Sequence, residues 1–162
     1  MLNRVLNSIA KIDDVLEKII NFLIVPLYLN LIAVVFIQVF FRYVIQKPFP
    51  AANELALYSF VWIVYLTAAL AVRKRTHFNI ELLEKYLDGK KVERYYKMVA
   101  TILMLVVAVV LTIYGTKAAI LGIDRLSPGS DLPLIYTVIS VPICGVLMTF
   151  FLLADFIKLC NR

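Results

Sequence analysis

Four stretches of this chain, residues 19–41, 55–72, 98–116 and 134–153, contain no Asp, Glu, Lys, Arg or His. Each is long enough, at ~20 residues, to cross a hydrocarbon core of ~30 Å as a helix. In lipid every backbone N–H and C=O must find its partner inside the segment, so an apolar run of this length has few options besides the α-helix. The sequence therefore predicts an all-α integral membrane protein with four transmembrane helices in a single membrane domain, 1–162. The hydrophobic share of 62% agrees with that, because a soluble domain of this size could not bury so much apolar surface.

The cations are placed at the ends of these runs. Of the 17 Lys and Arg, all but Arg42, Lys47, Lys117 and Arg125 lie in the N-terminal segment, the second loop or the C-terminal segment. Cytoplasmic loops carry the excess of Lys and Arg. Both termini and the basic loop 73–97 are thus expected in the cytoplasm, with the first and third loops outside. The net charge of +6 follows from this pattern and points to a phospholipid surface rather than to nucleic acid.

Between the spans the sequence changes character. Residues 1–18 place Leu2, Val5, Leu6, Ile9, Ile12 and Leu16 at helical spacing against a polar face. That is the pattern of an amphipathic helix lying in the membrane interface, the alternative being a solvated extension of the first span. Asp13, Asp14 and Glu17 precede the first apolar run, which is unlike a cleaved signal peptide. Pro48 and Pro50 break the first loop, 42–54. In the second loop Ile80, Leu83 and Leu87 mark a short helix over 79–88, started by Asn79 and ended by Gly89. Ser127 to Asp131 reads as a turn, and Pro26 and Pro142 are candidate kinks. Asn21, Asn30 and Gln38 are amides expected to face neighbouring helices, and Ala68, Ala69, Ala71, Gly115, Ala119 and Gly145 leave room for close helix approach.

The empty interiors of the spans limit the chemistry. A charge at the bilayer centre costs roughly 2.5–3.5 kcal/mol on insertion scales, and proton-coupled carriers bear that cost because they need a titratable group in the pathway. No such group is present in these four spans, nor are the paired broken helices of a secondary-transporter core. There is no G-x-S-x-G, Walker loop, H-E-x-x-H or metal-spaced Cys/His cluster. Catalytic, cofactor and metal sites are accordingly expected to be absent. Cys144 and Cys160 would be separated by roughly 24 Å along one helix, too far for a disulfide. The single histidine, His77, argues against haem ligation. A non-catalytic subunit that supports a larger partner fits best. The alternatives are a self-sufficient small oligomeric carrier and a membrane anchor of a redox complex.

Three segments carry a resemblance. The first is Arg42-Tyr43-Val44 with Pro48 and Asn53-Glu54-Leu55. The second is the aromatic run Tyr58 to Ala69 containing Trp62. The third is Ala71-Val72-Arg73 followed by His77-Phe78-Asn79-Ile80-Glu81. Together they resemble the small membrane subunit (DctQ/SiaQ-like) of TRAP, tripartite ATP-independent periplasmic, transporters, by motif over roughly residues 35–85. Glu81 stands where the family commonly has Asp, and Ala52-Asn53 where it often has Trp and a small polar residue. The resemblance implies a large membrane subunit that holds the sodium and substrate sites. It also implies a periplasmic binding protein that delivers a carboxylate-bearing solute of the sialic acid or C4-dicarboxylate class, and residence in the bacterial inner membrane. Under it, Arg42, Glu54, Trp62, Arg73 and His77 are candidate contacts to the large subunit. Arg73, Lys74, Arg75, Lys90 and Lys91 are candidates for lipid headgroups. Asp124, Arg125, Ser127 and Asp131 are exposed candidates for binding-protein contact.

Overall fold

The computed structural model describes the backbone of residues 2–47, 49–74 and 90–160, and the side chains of 11–47, 49–74 and 98–157. Arg75, His77, the helix expected over 79–88 and the side chains of Lys90 and Lys91 lie outside the described residues. Regular structure among the described residues is helical, apart from one isolated antiparallel bridge between Leu126 and Pro133. The helices are α1 (Leu2–Phe40), α2 (Pro50–Arg73), α3 (Lys90–Leu121), a short α4 (Ile135–Val138) and α5 (Ser140–Cys160), with a π-helical turn over Phe41–Ile45 prolonging α1. α1, α2, α3 and the α4–α5 pair each contain a stretch long and apolar enough to cross a bilayer. The chain is a multi-pass membrane protein.

Residues 2–18 do not form a separate element. α1 runs unbroken from Leu2 to Phe40 and through Pro26. No glycine or proline lies between Lys11 and Val25 to stop it, so the helix propagates from the amphipathic segment into the apolar run. At ~1.5 Å per residue its 39 residues span roughly 58 Å, well beyond a ~30 Å core. The turns carrying Asp13, Asp14 and Glu17 therefore have room outside the hydrocarbon.

The second helix starts earlier than its apolar run. Pro50 does not break it but begins it at N1, where the missing N–H is not needed. Asn53 and Glu54, expected in a loop, are thus on the first turns of α2. α1 ends on Gln46, whose left-handed backbone (φ 56°, ψ 24°) lets its own N–H and that of Lys47 reach the Phe41 carbonyl. In the fourth span Pro142 lacks the N–H that would bond the Val138 carbonyl, and the helix is interrupted at Ile139.

The helices pack as an open layer in the order α1, α2, α5, α3, with the closest associations between α3 and α5 and between α1 and α2. α2 and α5 hold the middle, where Leu66, Ala69, Leu70, Cys144, Met148, Phe151 and Leu152 form the core with Ile20 of α1. The outer helices are bare, with only 6% of the most apolar part of α1 buried. Small residues set the tightest contact. A Cβ on Gly145 of α5 would lie 2.5 Å from Thr112 Oγ1 and 2.9 Å from Thr112 N, and one on Gly115 would lie 2.9 Å from Val141. In lipid, such close backbone approach replaces the hydrophobic drive that helices lack there.

Candidate functional site

Two polar clusters sit at opposite ends of the layer. At one end Glu54, on α2, projects toward the turn between α3 and α4. This turn is held by Ser127 N–H donating to Leu132 O (2.9 Å), Asp131 N–H to Ser127 O (3.0 Å) and Leu134 N–H to Arg125 O (2.9 Å). Asp131 is left-handed (φ 54°), a conformation Asp tolerates better than most residues. The Glu54 carboxylate accepts the Gly129 N–H at 2.6 Å and the Ser130 hydroxyl, with the Ser127 hydroxyl also directed to it. A Cβ on Gly129 would meet Glu54 Oε1 at 2.9 Å, so glycine lets the carboxylate approach the turn this closely. Glu54 is therefore bound inside its own chain and is not paired with Arg42. The Arg42 guanidinium instead lies 5.8 Å from the centre of the Tyr43 ring. It also borders an open depression with Gln38, Gln46, Phe49, Pro50 and Asn53.

Trp62, two turns below Glu54, donates its indole N–H to the Tyr136 carbonyl at 2.8 Å. The Ser140 hydroxyl donates to the Thr137 carbonyl at 2.6 Å. These side chains satisfy backbone oxygens next to the interruption that Pro142 causes, which matters where no water is available. Trp62 thus fills a helix–helix contact within the chain, and α2 docks both the turn and α4. Of the turn residues, Asp124, Arg125 and Asp131 are exposed. Ser127 is not: it is buried beneath the turn beside Glu54, at 4% exposure.

At the other end Arg73 closes α2 against α1. Its Nε lies 3.0 Å from Asp13 Oδ1, one terminal nitrogen lies 2.7 Å from Asp14 Oδ1, and the other contacts Glu17. Lys74 Nζ lies 3.6 Å from Glu17. Residues 13, 14 and 17 share one side of α1 at helical spacing. The Arg73 side chain, read in the sequence as a topology signal and a candidate for lipid phosphate, is only 14% exposed and surrounded by carboxylates. Lys74 is half exposed. Nothing local in the sequence marks this cluster. Its one signal is three acids in a segment that otherwise favours Lys and Arg.

Amides join α1 to α2 between the clusters. Asn30 Nδ2 donates to Ser59 Oγ at 2.7 Å, Ser59 Oγ donates to the Leu55 carbonyl at 3.0 Å, and Gln38 Nε2 donates to Asn53 Oδ1 at 3.3 Å. Asn30 and Gln38 face a neighbouring helix as expected, while Asn21 is exposed. Ala52 is buried in a small cluster with Val34 and Ala56.

Comparison with known proteins agrees with this architecture. Residues 31–162 match the family model described as tripartite ATP-independent periplasmic transporters, DctQ component. A protein of Haemophilus influenzae named "Putative TRAP transporter small permease protein" is 24% identical over 146 residues, covering 88% of each chain.

Proposed function

Because the chain belongs to the DctQ component of the tripartite ATP-independent periplasmic transporters, we propose that it is the non-catalytic scaffold on which a large permease subunit packs. The complex takes up a carboxylate-bearing solute, of the sialic acid or C4-dicarboxylate class, driven by sodium. A periplasmic binding protein delivers the solute, and the sodium and solute sites are in the large subunit. The assembly sits in the bacterial inner membrane with both termini of this chain in the cytoplasm.

The observation that carries this is the open helical layer. A self-contained carrier encloses its pathway, whereas here the flanking helices leave most of their apolar surface uncovered, and the interiors of the spans hold no Asp, Glu, Lys, Arg or His. The end of the layer bearing Glu54 presents Asp124, Arg125 and Asp131 on a turn fixed from below. That fits a rigid platform for the binding protein.

Reconstitution tests the proposal. The chain alone in proteoliposomes is expected to move no solute, and to support uptake once the large subunit and binding protein are added. In membranes, an affinity tag on this chain is expected to retain the large subunit. Sodium-dependent uptake by this chain alone would overturn the assignment.

A further inference from the structure

An open groove of about 510 Å³ runs between α1 and α2, lined by Tyr28 and Leu31 on one wall and Phe60, Val64, Thr67 and Ala71 on the other. From Phe60 to Ala71 it extends roughly 17 Å at ~1.5 Å per residue. That is about half of a ~30 Å hydrocarbon core, the depth of one leaflet. Past its Arg73 end the exposed residues of both helices change from apolar to polar and charged. One turn beyond Ala71 is Lys74, half exposed. On α1 the face of Tyr28 continues through Ile24, Asn21, Glu17 and Asp14 at spacings of three and four. Asn21 is exposed, and the Asp14 side chain is 70% exposed although one oxygen meets Arg73.

Beyond the mouth of an apolar slot one leaflet deep thus stand the Lys74 ammonium of α2, 3.6 Å from the Glu17 carboxylate that Arg73 also contacts, and the Asp14 carboxylate and Asn21 amide of α1. We infer that the groove holds one phospholipid whose headgroup bears both a phosphate and a primary ammonium, the phosphate meeting Lys74, the ammonium meeting Asp14 and Glu17, and an acyl chain lying over Ala71, Thr67 and Val64. An anionic headgroup would set its charge against the carboxylates. A choline headgroup offers no N–H to them. The small side chains at 67 and 71 keep the headgroup end of the slot open. The inference rests on the membrane-spanning arrangement and not on the identity of the transported solute.

The test is native mass spectrometry of the full chain released from nanodiscs containing equal amounts of phosphatidylethanolamine, phosphatidylglycerol and phosphatidylcholine. The ethanolamine lipid is expected to be retained about fivefold over the other two, the weight of a partly exposed ion pair. Ala71→Phe, which fills the slot, and Lys74→Gln, which leaves it open, should each abolish the preference. Val146→Phe, on an exposed position of α5, should leave it intact. Should Ala71→Phe not fold by far-ultraviolet circular dichroism, Lys74→Gln decides alone. Equal retention of the three lipids, a preference for phosphatidylglycerol, or an unchanged preference in Lys74→Gln would overturn the inference, as would cross-linking of Ala68→Cys to a partner helix. Measuring retention of the large subunit in the same preparation keeps this outcome separate from that of the proposed function.

Discussion

Arg73 and Asp13 are 60 residues apart in sequence, yet Arg73 Nε donates to Asp13 Oδ1 at 3.0 Å. The contact makes the charged end of α2 a fastening for the end of α1 that extends past the apolar run. Both side chains are largely shielded, at 14% and 13% exposure, so the pair is not a freely solvated one.

Removing one partner of a shielded pair costs more than the pair itself contributes, because the remaining charge is stranded. Arg73→Ala is expected to destabilise the chain by about 3 kcal/mol, read from thermal unfolding in detergent micelles. Asp13→Asn combined with Arg73→Ala should recover part of the loss. Arg73→Lys should fall between, since an ammonium cannot reproduce the guanidinium fork that reaches Asp13, Asp14 and Glu17 together.

Glu54→Gln keeps the size of the side chain but removes its charge and one acceptor oxygen. The amide has a weaker claim on the Gly129 N–H and the Ser130 hydroxyl. Hydrogen exchange of the 127–131 turn is expected to quicken severalfold while exchange in α3 and α5 stays unchanged. Glu54→Ala should do the same more strongly and lower uptake by the assembled complex.

Gly145→Ala adds a single methyl group where there is no room for one, with the Thr112 backbone nitrogen 2.9 Å away. α3 and α5 must separate, and overpacking of this kind costs about 1–3 kcal/mol. Thr112→Ala in the same chain should restore little, because the backbone of Thr112 and not only its hydroxyl blocks the position.

Gln46 adopts the left-handed conformation with a side chain attached. Gln46→Gly should raise stability by about 1 kcal/mol, the typical penalty for a Cβ in that region. A lower unfolding temperature would show that the side chain has a compensating role at the depression it borders.

The spans were legible in the sequence because apolar length and flanking charge are local signals, and so were the roles of Asn30 and Gln38. Three features were not. The start of α2 at Pro50 was hidden because proline breaks helices in their interiors yet favours their first turn, and only the surrounding chain decides between these. The continuity of α1 was masked by an amphipathic pattern that a protruding helix and a surface helix share. The partners of Glu54 and Arg73 lie on distant segments, and spacing along one helix says nothing about which other helix arrives beside it. Ser127 was misjudged as exposed for the same reason, since Glu54 covers it from another span.

The order α1, α2, α5, α3 has a consequence for how the molecule is put together. Each strong association joins helices that follow one another in the chain, α1 with α2 and α3 with the fourth span. The layer is thus two helical hairpins laid side by side, stitched by Trp62 to Tyr136 and by Glu54 to the turn at Gly129. A ribosome can deliver the first hairpin whole before the second is made. Cutting the chain between Lys74 and Lys90 would then leave two pieces, each with its native neighbour, that find each other again along a single seam.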